Sequence, residues 1–330
     1  MIPPIYSPWA PGIWQQLLKE AYRDARELLA DLQLDPDLAA PDANFKTLVP
    51  RSFAARMVTG DANDPLLRQV LPIAAEHDTH AAFVVDPLRE TDSFTRAPGL
   101  IQKYQGRALL IAAPQCAVHC RYCFRREFPY SKHRPKHLDQ ALAELAQDKS
   151  IHEIILSGGD PMLLSDGQWT ELLAQLAQIP HLARLRLHTR LPIVLPERVT
   201  ASWMKGVADC RLPCTLVVHT NHPNELDDST ERAFATLRAG GIHLLNQGVL
   251  LRGVNDSVET QVALHEKLYC QGVLPYYLHM PDPVQGTAHF FLDEIRAREI
   301  YQGMQTVLPG SLLPKLVQER PGSVSKTLIS

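Results

Sequence analysis

The chain has 330 residues, 45% of them hydrophobic and 21% charged, which suits one barrel-sized domain or two ordinary ones and excludes a disordered polypeptide. Its net charge of -3 excludes a globally basic nucleic-acid binder, and six cysteines are too few for a disulfide scaffold. No apolar run approaches a membrane span, and residues 1–10 carry Pro3, Pro4 and Pro8 where a leader would need a basic then an apolar stretch. The expectation is a cytoplasmic protein with no membrane or nucleic-acid partner.

In chain order, residues 1–99 read as a helical region. Trp14, Leu17, Leu18, Tyr22 and Ala25 recur at helical spacing. Residues 64–76 read as a further short helix with Pro65 in its first turn. Residues 91–99 read as a loop closed by Pro98-Gly99. From 107 the texture changes, and short apolar runs alternate with amphipathic stretches. The runs lie at 108–113, 153–156, 185–188, 215–218, 243–251 and 273–278, each one strand long. Ser165 with Gln168 forms a capping box before 169–176. Asp256 with Glu259 repeats it before 262–269, with Gly272 as the stop. Six strand-then-helix units imply a parallel sheet coated by helices, and continuous apolar strands favour an incomplete (β/α)6 barrel over a doubly wound sheet. Reactive groups then belong at the carboxyl ends of the strands. The barrel spans 100–290, and 291–330 adds a helix, a strand and a tail.

The first strand is followed by Cys116-Ala-Val-His-Cys120-Arg-Tyr-Cys123, a C-x3-C-x2-C spacing. Three thiolates from one loop serve three irons of a [4Fe–4S] cube and leave the fourth iron for a ligand that is not protein. A zinc site would need a fourth ligand, for which only His119 is at hand, awkwardly inside the loop. A redox pair accounts for two cysteines and not three. Cys210, Cys214 and Cys270 read as buried structural thiols. After the second strand comes Ser157-Gly158-Gly159-Asp160-Pro161, a turn whose glycines permit close backbone approach to a ligand. Taken alone, Arg107 reads as a surface charge, Asp282 and Glu319 as solvated loop acids, and Lys326 as a tail lysine. Lys315 falls in a strand at 312–317.

The cysteine motif, with Tyr122 beside its last cysteine, resembles the signature of the radical S-adenosylmethionine (SAM) superfamily. Further segments narrow the resemblance to the lysine 2,3-aminomutases. These are Asp64-Pro65-Leu66-Leu67-Arg68-Gln69-Val70, Cys123-Phe-Arg125-Arg126, Asn221-His222-Pro223-Asn224-Glu225, the run from Asn246 to Asp256, Pro275-Tyr276-Tyr277 and Pro321-Gly322-Ser323-Val324-Ser325-Lys326. The resemblance implies a radical SAM partial barrel with a short C-terminal segment that binds pyridoxal phosphate (PLP). It implies a [4Fe–4S] cluster on Cys116, Cys120 and Cys123, and SAM against Ser157, Gly158, Gly159 and Asp160. PLP would be carried by Lys326, with Lys315 as competitor, and contacted by Tyr104 and Arg107; His219 and Gln247 match further cofactor-pocket positions. Of a lysine substrate, Arg125 would take the carboxylate, and Asp282 with Glu319 the distal ammonium. The family usually has aspartate at the second acid, so Glu319 is a longer reach.

The activity so implied is an isomerase reaction, a radical 1,2-amino shift from (S)-α-lysine to (R)-β-lysine, fed by an electron donor. The longer fermentation enzymes end in a zinc-binding cysteine region, whereas here no cysteine follows Cys270 and four residues follow Lys326. The chain therefore resembles the short EpmB-type branch. That branch supplies β-lysine for attachment to translation elongation factor P by a ligase related to lysyl-tRNA synthetase. A homodimer is the family's expectation. The alternatives are an aminomutase for another amino acid, a radical SAM enzyme acting directly on RNA or protein, and a non-enzymatic iron–sulfur or zinc protein. The second would need a basic groove or recruiting domain, and the sequence displays neither.

Overall fold

The computed structural model describes residues 12–41, 45–91, 93–130 and 138–329; residues 1–10, where a leader was not expected, lie outside these. Helices are sparse in the N-terminal region. Its described part holds α1 (Ile13–Lys19), α2 (Ala25–Asp31), α3 (Arg51–Ala54) and α4 (Pro65–Arg68), joined by 3₁₀ turns and extended chain. The helical spacing from Trp14 to Ala25 is not one helix: α1 stops at Lys19, Tyr22 pairs through its backbone with Val49, and Asp24 caps α2 by accepting from the Arg26 amide. Of the helix expected over 64–76, the structure forms the single turn α4 and, further on, the start of a 3₁₀ turn at Ala74–His77. Asp64 caps the start of α4 on the amides of Leu66 and Leu67, but Pro72 ahead disfavours helical backbone at Leu71.

The ten strands of the sheet lie in chain order: β1 (Thr95–Ala97), β2 (Leu100–Tyr104), β3 (Arg107–Ala113), β4 (Glu153–Gly158), β5 (Arg184–Thr189), β6 (Cys214–Val218), β7 (His243–Val249), β8 (Leu274–His279), β9 (Lys315–Gln318) and β10 (Thr327–Leu328). Strands β3 to β9 run parallel, each beside the next, while β1, β2 and β10 are antiparallel additions at the two ends. A doubly wound sheet reverses its strand order at a switch point. This one never does, so successive crossovers of one hand curl it steadily toward a barrel. The edges β1 and β10 are not paired with each other. Instead Lys103 of β2 meets Glu319, just beyond β9, at 2.7 Å, which brings the two ends of the curl together.

The six apolar runs read from the sequence correspond to β3 through β8. Of the loop expected at 91–99, residues 95–97 instead form β1, and Pro98-Gly99 turns the β1–β2 hairpin, with Gly99 at φ 86°, a backbone that favours glycine. The crossover helices are α5 (Leu138–Gln147), α6 (Asp166–Ala177), the single turn α7 (Leu191–Val194), α8 (Ala201–Ala208), α9 (Asp228–Ala239) and α10 (Val258–Cys270), with α11 (Glu294–Val307) before β9. The Ser165–Gln168 capping box forms as read. For α10 the cap is Ser257, whose Oγ accepts from the Thr260 amide at 3.2 Å, and not Asp256 one place earlier. Trp169 of α6 stacks on Trp203 of α8 with ring centroids 5.1 Å apart, and Gly206 makes room: a Cβ there would lie 2.8 Å from the Trp169 ring. Trp14, Phe53 and Leu66 belong to the same hydrophobic cluster as Leu156, Leu187 and Trp169, so the N-terminal region and the curled sheet share one core. Of the three cysteines expected to be buried, only Cys214 is; Cys210 is half-buried, and Cys270 at the end of α10 is exposed. No helix among the described residues is long and apolar enough to cross a membrane.

Candidate active site

Inside the curled sheet lies a cavity of about 270 Å³. Its wall contains Tyr104, Arg107, Cys116, Cys120, Cys123, Arg125, Ser157, Gly158, Gly159, Asp160, His219, Gln247, Asp282, Glu319 and Lys326, so residues spread over more than 200 positions converge there. Strand alternation explains much of the wall. Side chains two apart share a face, and Ile101 with Lys103, Ile155 with Ser157, Arg186 with His188, and Tyr277 with His279 all face the cavity. Lys315 does not line it; it is exposed on β9.

The cysteine loop is fixed from the N-terminal side. The His119 amide donates to the Leu48 carbonyl and the Arg121 amide to that of Gln69, while Arg121 and Arg126 both grip the buried Glu76. The His119 ring is engaged by the N-terminal region: it stacks on Phe45, and Nδ1 lies 2.6 Å from the Lys46 carbonyl oxygen. Burial, then the neighbouring Cys123 and Asp160, push the Cys116 thiol well above its usual pKa. Burial and Cys120 push the Cys123 thiol up to about 11. Three crowded, half-buried thiols, with Arg190 Nη1 2.7 Å from Cys120 Sγ, form a donor set for a cationic centre. Among the described residues no three His, Cys, Asp or Glu side chains converge on one point, as a single metal ion requires. A cube takes one thiolate per iron and makes no such demand, so this donor set fits a cluster.

The Ser157–Asp160 turn lies directly on that loop. The Gly159 amide donates to the Ala113 carbonyl at 2.8 Å and the Asp160 amide to that of Gln115 at 2.7 Å. A Cβ on Gly158 would sit 2.5 Å from the Ala113 oxygen, and one on Gly159 would sit 2.0 Å from that of Gln115. The glycines thus serve an approach of the turn to the cysteine-loop backbone. The Asp160 carboxylate is committed too, accepting from Thr189 Oγ1 at 2.7 Å and from the Arg190 and Met162 amides. Burial raises its pKa to about 6.

Arg125, Asp282, Glu319 and Lys326 line this cavity together, with partners the sequence does not reveal. Arg125 donates from Nε and Nη2 to both oxygens of Glu90, at 2.7 and 3.0 Å, and from Nη1 to Ser157 Oγ. These bonds leave one proton on each Nη without a partner among the described residues. Glu319 accepts from Lys103 at 2.7 Å and from Lys326 at 2.6 Å. Burial opposes its charge, but the two ammonium groups outweigh that and hold its pKa far below the usual range. Asp282 pairs with neither lysine; burial and then the Glu319 charge raise its pKa to about 7, outweighing the pull of Lys326 and Lys103.

The opposite wall is polar and mostly neutral. Burial, followed by Arg186 and His219, drives His188 well below its usual pKa. Burial and then Arg190 lower His219 to about 3. Gln247 Nε2 lies 3.0 Å from His219 Nε2, while Gln247 Oε1, His188 Nε2 and His279 Nε2 are buried with no partner among the described residues. Arg107 stacks over the Tyr104 ring at 4.7 Å, and Arg186 bridges Glu153 and the Tyr276 hydroxyl. Orphaned polar atoms and cations around one cavity fit a polar, anionic cofactor. Arg186, His188 and His279 were missed in the sequence. Their signal is polar side chains in strands (Arg186 and His188 alternating with leucines in β5, His279 closing β8) where a doubly covered parallel strand should be apolar throughout.

The radical SAM superfamily model matches residues 110–260. An L-lysine 2,3-aminomutase of Escherichia coli is 45% identical to the chain, covering 95% of it and 93% of that protein. One from Haemophilus influenzae is 41% identical over 96% of the chain and 95% of its own length. One from Clostridium subterminale is 36% identical over 81% of the chain but only 64% of its own, longer sequence.

Proposed function

The chain belongs to the L-lysine 2,3-aminomutase family of radical SAM enzymes, and from that premise we propose that it converts (S)-α-lysine to (R)-β-lysine. It is an isomerase whose cofactors are a [4Fe–4S] cluster, SAM and PLP. When bound, these supply a carbon-centred radical that takes and returns one hydrogen, and a conjugated carbonyl compound on which an amino group can migrate. Cys116, Cys120 and Cys123 hold the cluster, and the turn at Ser157–Asp160 borders SAM. Lys326 carries PLP, with Tyr104, Arg107, His219 and Gln247 along its pocket.

The residues of the chain do the positioning. Arg125 keeps two Nη protons for a carboxylate, and Asp282 with Glu319 receives the distal ammonium. Neutral imidazoles at His188, His219 and His279 line the space between without adding charge. Enclosure inside the curled sheet keeps water from a reactive carbon centre. Holding the reacting carbon in one pose replaces a random encounter by a unimolecular step.

The observation that carries this reading is the single cavity shared by the cysteine loop, the glycine turn, the paired acids and Lys326. The test is anaerobic incubation of the reduced, reconstituted protein with isotopically labelled lysine, SAM and PLP, followed by product identification. Labelled (R)-β-lysine is expected; unchanged lysine with full cluster and PLP content would sink it. We further propose a cytoplasmic protein, homodimeric and supplied by an electron donor, whose β-lysine goes to elongation factor P through a synthetase-like ligase. Near full-length similarity to the enterobacterial and Haemophilus relatives supports this. Elongation factor P isolated from cells lacking the protein should have lost the mass of one lysyl group.

A further inference from the structure

Between the two substrate-binding poles runs an unbroken row of buried and half-buried charges. Arg125 grips both oxygens of Glu90, and Glu90 Oε1 meets Lys103 Nζ at 2.9 Å. Lys103 Nζ reaches Glu319 Oε1 at 2.7 Å, and Glu319 Oε2 holds Lys326 Nζ at 2.6 Å. These residues come from the segment before β1, from β2, from the cysteine loop and from the chain on either side of the β9–β10 turn. The side chains of Glu90 and Lys103, in the middle, are 4% and 12% exposed.

Exposed ion pairs wander and do little. Buried ones are held to one geometry, because any member that moves strands the charge of its neighbour. The two-point grip of Glu90 sets the plane of the Arg125 guanidinium. Lys103 ties that carboxylate to Glu319, so the separation of arginine and acid depends on two residues that need touch neither end of a substrate. The division of Glu319 is also telling. Its Oε2 faces Lys326, the residue read as leaving to carry a cofactor, while its Oε1 stays with Lys103. An oxygen is thereby opened for an incoming ammonium without the carboxylate being set loose.

We propose that Glu90 and Lys103 are positioning residues that fix the span between the carboxylate-binding arginine and the ammonium-binding acid, and so select a diamino acid of one chain length. This rests on the substrate reading given above. The test uses anaerobically reconstituted holoenzyme and two ligands, lysine and the one-methylene-shorter ornithine. Binding of each is read from the change in PLP absorbance, which requires no turnover, and KM and kcat are measured alongside. In Lys103→Met, iron and PLP content should stay at wild-type levels while lysine binds at least tenfold more weakly. The preference for lysine over ornithine should shrink in proportion, with kcat at saturation changing less than KM, and Lys103→Arg should restore the preference. An unchanged preference in Lys103→Met overturns the proposal. So does loss of the PLP absorbance itself, which would make Lys103 a cofactor ligand. If Lys103→Met does not accumulate as folded protein, the charge-balanced double variant Glu90→Gln with Lys103→Gln is read by the same preference. Wild-type protein that does not distinguish the two ligands would remove the substrate reading itself, and is recognised before any variant is compared.

Discussion

Burial and the adjacent Glu319 charge hold the pKa of Asp282 up at about 7, far above that of a solvated aspartate. A carboxyl raised in this way favours its protonated form in the folded protein. Its contribution to ligand-free stability is complete below the unfolded pKa near ~4 and is lost as pH rises through about 7. Binding of an ammonium reverses the preference, because only the ionised form attracts it. Lysine affinity of the PLP-loaded protein should therefore climb between pH 6 and pH 8, with proton release on binding at the lower pH. Asp282→Asn should flatten that climb and weaken binding at pH 8 by about 1–3 kcal/mol. Without ligand, the same variant should be more stable than wild type at pH 8, and by a much smaller margin at pH 5, because the difference closes only toward the unfolded pKa. Calorimetric titration and urea midpoints at the two pH values check both signs. Lys326 carries a simpler expectation. Its amine faces the cavity, lying 5.6 Å from the centroid of the Tyr277 ring, whereas Lys315 is exposed on β9. Lys326→Ala should lose the visible absorbance of bound PLP, and Lys315→Ala should keep it; the opposite pattern would move the carrier to β9.

At the scale of elements, the start of α10 separates what a sequence shows from what it hides. Asp256 and Ser257 are both capping residues by type, and the spacing to Glu259 favoured Asp256. The backbone gives the role to Ser257, whose φ and ψ are extended and whose Oγ reaches the Thr260 amide. Ser257→Ala should cost about 1 kcal/mol in urea unfolding, and Asp256→Ala only a few tenths. A reversed order would return the cap to the earlier residue. The same contrast runs through the chain. Strands β3 to β8 were legible because each is a short apolar run with a helix to follow. The hairpin of β1 and β2 was not, since the polar Gln102, Lys103 and Tyr104 interrupt its apolar residues. The cysteine loop and the Lys326 tail stand out through spacing and resemblance. Glu90, Lys103 and the inward residues of β5 and β8 do not, because a buried charge looks like a solvated one until its partner, more than 200 positions away for Lys103 and Glu319, is in view.

For the whole molecule the question is whether residues 12–91 are an appendage or part of the site's frame. Val49, Phe53, Leu66 and Leu67 are fully buried in the cluster that also contains the strand residues Leu156 and Leu187. Gln69 lies between Arg190, Glu225 and Asn221 at 2.8, 3.1 and 2.9 Å, and Glu76 is the acid paired with Arg121 and Arg126 of the cysteine loop. A fragment starting at residue 93 would expose that apolar face and leave Arg121 and Arg126 without their carboxylate. Breaking a buried pair in this way costs about 3–5 kcal/mol, against a total stability on the order of 5–15 kcal/mol for a folded domain. The lost apolar burial adds to that cost, so the fragment should not fold. The intact chain should unfold with far-UV circular dichroism and the fluorescence of Trp14, Trp169 and Trp203 changing together, because Trp14 sits in the same core as the other two. A fragment from residue 93 that melted cooperatively and took up iron at the three cysteines would show that the curled sheet stands alone. The N-terminal contacts to the cysteine loop would then be dispensable for building the cluster site.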